Sequence, residues 1–269
     1  MIEFFFDCSS PWTYLAFHNI QPLAKEFGAE ITWRPILVGG IFNTINPSVY
    51  ASREHPVPAK LNYQKKDMAD WARSAGLAIK MRPTVFPVNS VKAMRGCIWL
   101  GKQMVPFART VFEIYWGEDK DISQDAVLAE VCQRVGVDPQ KFFAGIGEQA
   151  IKDQLKANTD EVMARGGFGS PTIFIDKSDM YFGNDRMPLI REALQRRGGK
   201  CFQTQALGRA EFAADHRLRH QAALALRRCS ASRINGIRSL PKYMSVLSIK
   251  MVGEPKPPRA ITSSVLVFS

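Results

Sequence analysis

A short apolar run, Ile2–Phe6, turns into Ser10-Pro11, an amphipathic stretch follows, and a second apolar run closes the unit. Ile2–Phe6 reads as a buried strand. A helix is expected over 11–27, because Trp12, Leu15, Ala16, Ile20, Leu23 and Phe27 fall on one face at helical spacing. Gly28 supplies the stop, since glycine accepts the left-handed backbone that ends helices. Residues 29–36 read as the second strand. Such a β-α-β start implies two parallel strands joined by a right-handed crossover.

A turn-rich loop is expected over 39–58, where Asn43, Asn46, Pro47, Pro56 and Pro58 interrupt any period. The pattern then becomes helical over 59–75, 89–102, 106–116, 124–135, 139–146 and 149–164. Ser123 and Asp138 are candidate caps, the second followed by Pro139 at the first helical position. Strands return at 172–175 and 180–182, separated by Asp176-Lys177-Ser178-Asp179, which is a hairpin pattern. A last helix starts at Asn184 or Asp185 and runs to Gln195. The layout is a β-α-β unit, a helical block, then β-β-α.

Composition excludes several classes. Hydrophobic residues make up 46% of 269, enough for a real core. No apolar run is long enough to span a bilayer, and no basic-then-apolar start marks a signal peptide. Five widely spaced cysteines, an odd number, suit a reducing, cytoplasmic compartment. His216 and His220 stand four apart without a close cysteine pair, so no metal site is expected. The net charge of +11 invites a nucleic-acid reading, but 198–269 carries 12 Lys+Arg against 3 Asp+Glu. The body is nearly neutral and needs no polyanionic partner. The basic stretch 198–269 reads as an extension outside the fold, disordered or foreign to it.

Two segments carry candidate chemistry. The first is Asp7-Cys8-Ser9-Ser10-Pro11-Trp12-Thr13-Tyr14. Ser10 and Thr13 stand where thioredoxin-type enzymes place Cys-x-x-Cys, whose thiolate a helix N-terminus stabilises. A hydroxyl there cannot exchange disulfides, but it can donate a hydrogen bond to a thiolate brought by another molecule, such as glutathione. Ser-Pro at a helix start is also ordinary capping, and the pair alone does not separate the two readings. The second segment is Gly167-Phe168-Gly169-Ser170-Pro171-Thr172, just before a strand. Thioredoxin-like proteins hold a cis-proline there, beside backbone groups that pair with an extended peptide. A trans loop proline is the alternative. Asp185 and Arg186, after Phe182-Gly183-Asn184, can cap a helix or pair with the charged ends of a peptide.

With both segments in place, residues 1–196 resemble the kappa-class glutathione transferases, and among them the 2-hydroxychromene-2-carboxylate isomerases. Other shared motifs, in order, are Arg34-Pro35, Gly39-Gly40-Ile41-Phe42, Pro58-Ala59-Lys60 with Tyr63, Phe86-Pro87-x-Asn89-Ser90 and Asp121-Ile122. The resemblance implies an α/β, thioredoxin-like domain of the DsbA type, formed by 1–46 and 165–197, with a helical domain inserted over 47–164. It implies that Ser10 hydrogen-bonds the glutathione sulfur, that Asn46 and Lys60 lie near glutathione and substrate, and that Ser170, before cis-Pro171, pairs with the cysteinyl backbone. Asn184 and Asp185 would hold the γ-glutamyl end, and Arg186 beside them can reach a carboxylate of the cofactor. Cys8, where the family usually has an apolar residue, reads as a small buried hydrophobe.

The implied activity is glutathione-dependent isomerisation of 2-hydroxychromene-2-carboxylate, or a related unsaturated keto acid, by reversible thiolate addition, bond rotation and elimination. A homodimer is the form the family implies. Three alternatives stand beside it. They are a conjugating glutathione transferase, a disulfide oxidoreductase, which Ser10 and Thr13 disfavour, and a non-enzymatic protein binding through its basic extension.

Overall fold

In β1 (Ile2–Phe6) alternate side chains serve two different cores, as the period of a strand requires. This computed structural model describes residues 1–197. Ile2, Phe4 and Phe6 pack with Phe17 and Ile20 of α1 (Pro11–Glu26) in the larger core. Phe5 points the other way, against Phe174, Ile36, Ile41 and Val162. All three phenylalanines are fully buried.

The sheet has four strands in the order β2-β1-β3-β4. β2 (Ile31–Pro35) runs parallel to β1, with Phe4 opposite Trp33. β3 (Thr172–Ile175) is antiparallel to β1 and forms a hairpin with β4 (Asp179–Phe182). Asp176 and Lys177 take left-handed backbone (φ 50° and 70°) in its turn. Beyond β4 a short 3-10 turn, Asn184–Arg186, leads into a final helix, α10, over 187–197. The β-α-β start, the hairpin and the last helix follow the sequence pattern. The extension from 198 onward lies outside the described residues.

Between β2 and β3 stand the helices. The expected loop over 39–58 instead contains α2 (Val38–Thr44) and α3 (Ser48–Glu54). Pro47 reads as a breaker, yet it falls just before α3, where its fixed φ does no harm. α4 (Pro58–Ala75), α5 (Val91–Leu100), α6 (Met104–Phe112), α7 (Asp125–Arg134), α8 (Pro139–Gly145) and α9 (Gln149–Ala164) follow. After α6 the chain makes one π turn, Glu113–Gly117. Asp138 caps α8, its carboxylate accepting from the N–H groups of Gln140 and Lys141. Ser123 does not cap α7: the cap position is Gln124, and the Asp121 carboxylate accepts the Ser123 N–H instead.

Two links tie the later helices to the turn that follows β1 and to α1. Trp116, fully buried, donates its indole N–H to the Cys8 carbonyl at 2.9 Å. Tyr14 stacks face to face on Phe112, with centroids 5.0 Å apart. At the far side Arg165, just past α9, pairs with Glu3 at 2.7 Å and lies 3.9 Å from the Phe174 ring centroid. Its guanidinium holds the Glu3 carboxyl below the usual range.

Candidate active site

Ser10 ends the turn after β1 and caps α1. Its hydroxyl accepts the Thr13 N–H at 3.3 Å and donates to the Ser170 carbonyl at 3.3 Å. The capping and functional readings of Ser10 are therefore compatible: one lone pair serves the helix, while the proton faces the second segment. That second bond is long for an O–H donor and is easily given up to a stronger acceptor. The Ser170–Pro171 peptide is cis.

Thr13 is fully buried, and its hydroxyl lies 2.7 Å from that of Ser170. The Ser170 hydroxyl also accepts the Asp7 N–H at 2.9 Å. Asp7 is 1% exposed, and its two carboxylate oxygens accept the Ser9 and Val38 N–H groups, both at 2.9 Å. Burial pushes the Asp7 carboxyl above its ordinary value, against the pull of those two N–H groups. Asp7, Thr13 and Ser170 thus lock the turn, the start of α2 and the proline loop into one unit, a role that the Asp7 motif alone did not reveal.

This unit forms one wall of a cavity of about 940 Å³. That is near the upper end of the usual range for ligand sites. Ser10 and Ser170 line it, with Asn46 and Lys60. Asn46 has both ends of its amide engaged: it donates to the Phe168 carbonyl at 3.1 Å and accepts from Ser48 at 2.8 Å. Lys60 is exposed, on the first turn of α4. Trp12, expected on the buried helix face, is half-exposed and lines the cavity instead, while Thr13, Tyr14 and Phe17 fill the buried face.

Asn184, Asp185 and Arg186 are not part of the lining, although Phe182, two residues earlier, is. Asn184 is 1% exposed and accepts from the Asn19 amide at 2.9 Å. Its own Nδ2 has no partner among the described residues. Asp185 and Arg186 are exposed and paired with each other at 2.9 Å. Pro171 sits behind the wall, buried.

The charge of the cavity is one-sided. Arg53, Lys60 and Arg82 line it with His55, and among the described residues no aspartate or glutamate does. The N-terminus of α1, a 16-residue helix, adds a partial positive charge beside Ser10. Such surroundings favour an anion. Arg53 carries no local sequence signal, because its helix lies within the stretch 39–58 that reads as a loop, and Arg82 falls between two expected helices.

Among the described residues the arrangement offers no protein nucleophile for disulfide exchange. Cys8 is fully buried, and burial together with Cys97 pushes its thiol well up. Cys97 and Cys132 are buried as well. Among the described residues no group of side chains could hold a metal ion, and no helix is long and apolar enough to cross a membrane.

The chain is 29% identical over 200 residues to a 2-hydroxychromene-2-carboxylate isomerase of Pseudomonas putida, covering 73% of this chain and 95% of that one. It is 25% identical to glutathione S-transferase kappa 2 of Caenorhabditis elegans, over 72% of this chain and 91% of that one. A solved 2-hydroxychromene-2-carboxylate isomerase superposes with a TM-score of 0.63 at 26% identity, over 77% of this chain and 98% of its own. The pattern of DSBA-like thioredoxin domains matches residues 1–195, so the chain belongs to the DSBA-like thioredoxin family, with a sheet domain and inserted helices.

Proposed function

We propose that this protein is a glutathione-dependent isomerase acting on 2-hydroxychromene-2-carboxylate or a related unsaturated keto acid. The observation that carries the proposal is the Ser10 hydroxyl. It stands at the N-terminus of α1, on the wall of a cavity with cationic side chains and no carboxylate among the described lining residues. The donor set fits glutathione: a hydroxyl for the sulfur, and Lys60 and Arg82 for the carboxylates. When bound, glutathione supplies a thiolate that adds reversibly to the conjugated double bond and leaves again after rotation.

The chain's own residues do the rest. Ser10 turns its O–H from the Ser170 carbonyl to the sulfur and, with the helix terminus, lowers the energy of the charged form. Asp7, Thr13 and Ser170 hold Ser10 in place. Lys60 offers a charge to a carboxylate, Ser170 presents its backbone to the cysteinyl unit beside Pro171, and Asn46 braces the wall. In this proposal Asn184, Asp185 and Arg186 take the γ-glutamyl end, which requires the Asp185–Arg186 pair to open or to be shared. A homodimer in the cytoplasm, where glutathione is abundant, belongs to the same proposal.

The relatives named glutathione S-transferase kappa support a second reading, conjugation with glutathione consumed. One experiment separates them. The full chain is incubated with glutathione and the keto acid, and both organic product and total glutathione are measured. Isomerised product with constant glutathione is expected. Loss of glutathione into an adduct indicates conjugation, and turnover independent of glutathione overturns both.

A further inference from the structure

Arg53 is the least expected feature of the cavity. It lies on α3, a helix with no buried residue, so packing against a core does not explain its position. Its guanidinium is 5.6 Å from the centroid of Phe42, on α2, and 5.4 Å from that of Phe86, in the loop before α5. Both rings line the same cavity as Ser10. Rings from two different elements thus lie beside one guanidinium, whose planar fork of N–H donors suits a carboxylate.

We propose that Arg53 is a specificity-determining residue that binds the carboxylate of the electrophile, and that Phe42 and Phe86 receive its flat conjugated system. The inference rests on the glutathione reading for the chemistry, and it divides the cavity between the two molecules. Glutathione carries no ring, so an aromatic seat around a cation gives it nothing beyond charge. A flat unsaturated acid uses both features at once: its carboxylate meets the fork bidentately, and its π system stacks beside the phenyl faces. No acidic side chain among the described lining residues competes for Arg53.

The test uses the full chain as wild type, Arg53→Gln and Arg53→Lys. The probes are 2-oxo-4-phenylbut-3-enoate and the neutral 4-phenylbut-3-en-2-one, which differ by the carboxylate. Each is titrated without glutathione by quenching of tryptophan fluorescence, Trp12 being in the cavity wall. Glutathione is titrated separately. Because α3 buries nothing, Arg53→Gln is expected to keep the wild-type circular dichroism. The Gln variant should bind the acid about 10- to 100-fold more weakly, as loss of a charge-assisted pair implies. Its affinities for the neutral ketone and glutathione should be unchanged, and Lys should restore part of the loss. Equal weakening of both probes, unchanged binding of the acid, or a matching loss of glutathione affinity would each overturn the proposal. Failure of the wild type to bind glutathione would sink the cofactor reading alone, since the probe titrations still decide Arg53.

Discussion

At the scale of single residues the site is a problem of holding one hydroxyl still. Ser10 is positioned by the α1 cap and by a buried chain of hydrogen bonds through Thr13, Ser170 and Asp7. Asp7 is the group in that chain that titrates. Its folded pKa is raised, so the folded state holds the proton more tightly than the unfolded chain does. Its contribution to stability therefore grows as pH falls through the raised value, and levels off below the unfolded value of about 4. Asp7→Asn lacks that dependence. The wild type's stability relative to this variant is expected to rise on acidification across the window, read by urea unfolding at a series of pH values. A pH-independent difference would contradict the placement of a charged group there. Ser10, Pro171 and Asp138 were legible from sequence because their signals are local: a cap, a proline before a strand, an acid before Pro139. Asp7 was visible as a motif member but not as a clamp, since its partners Val38 and Ser170 are distant in the chain. Trp12 was misplaced because helical periodicity marks the apolar stripe without saying that its first turn opens onto a cavity.

At the scale of elements, the helices that periodicity finds are those that bury a stripe over several turns; the seven-residue α2, too short to show a period, and α3, which buries nothing, were missed. α3 forms part of a cavity wall rather than of a core, and it carries Arg53. The helices that do bury a stripe pack tightly. Gly96 of α5 faces Phe142 of α8, and a Cβ on Gly96 would lie 2.5 Å from Phe142 Cε2 and 3.0 Å from Phe107 Cζ. Both rings are fully buried and have little room to swing away. Gly96→Val is therefore expected to cost about 1–3 kcal/mol through overpacking. That lowers Tm by about 2–4 °C for each kcal/mol in a domain of this size. A scanning calorimeter checks it, and an unchanged or raised Tm would mean that the two helices can separate without cost.

At the scale of the whole molecule, the sheet brings two distant segments face to face. β1 delivers the Ser10 turn, antiparallel β3 delivers the proline loop, and the helices between β2 and β3 supply the opposite cavity wall. The β-α-β start and the closing hairpin were readable because period-2 and period-3.6 patterns change sharply at Gly28 and at Thr172. Of the cationic lining only Lys60 was, through the resemblance; Arg53 and Arg82 come from α3 and from the segment between α4 and α5, which only the folded chain brings to the same cavity. The central claim is that this assembly stabilises a thiolate that the protein does not itself carry. The most direct measurement is a pH titration of the ultraviolet thiolate band of glutathione bound to the full chain, for the wild type and Ser10→Ala. The account predicts that bound glutathione ionises below the ordinary thiol value of about 8.5. It also predicts that Ser10→Ala raises that midpoint by about one to two pH units, the worth of one charge-assisted hydrogen bond. Identical titrations in the two proteins, or no glutathione binding by the wild type, would contradict it.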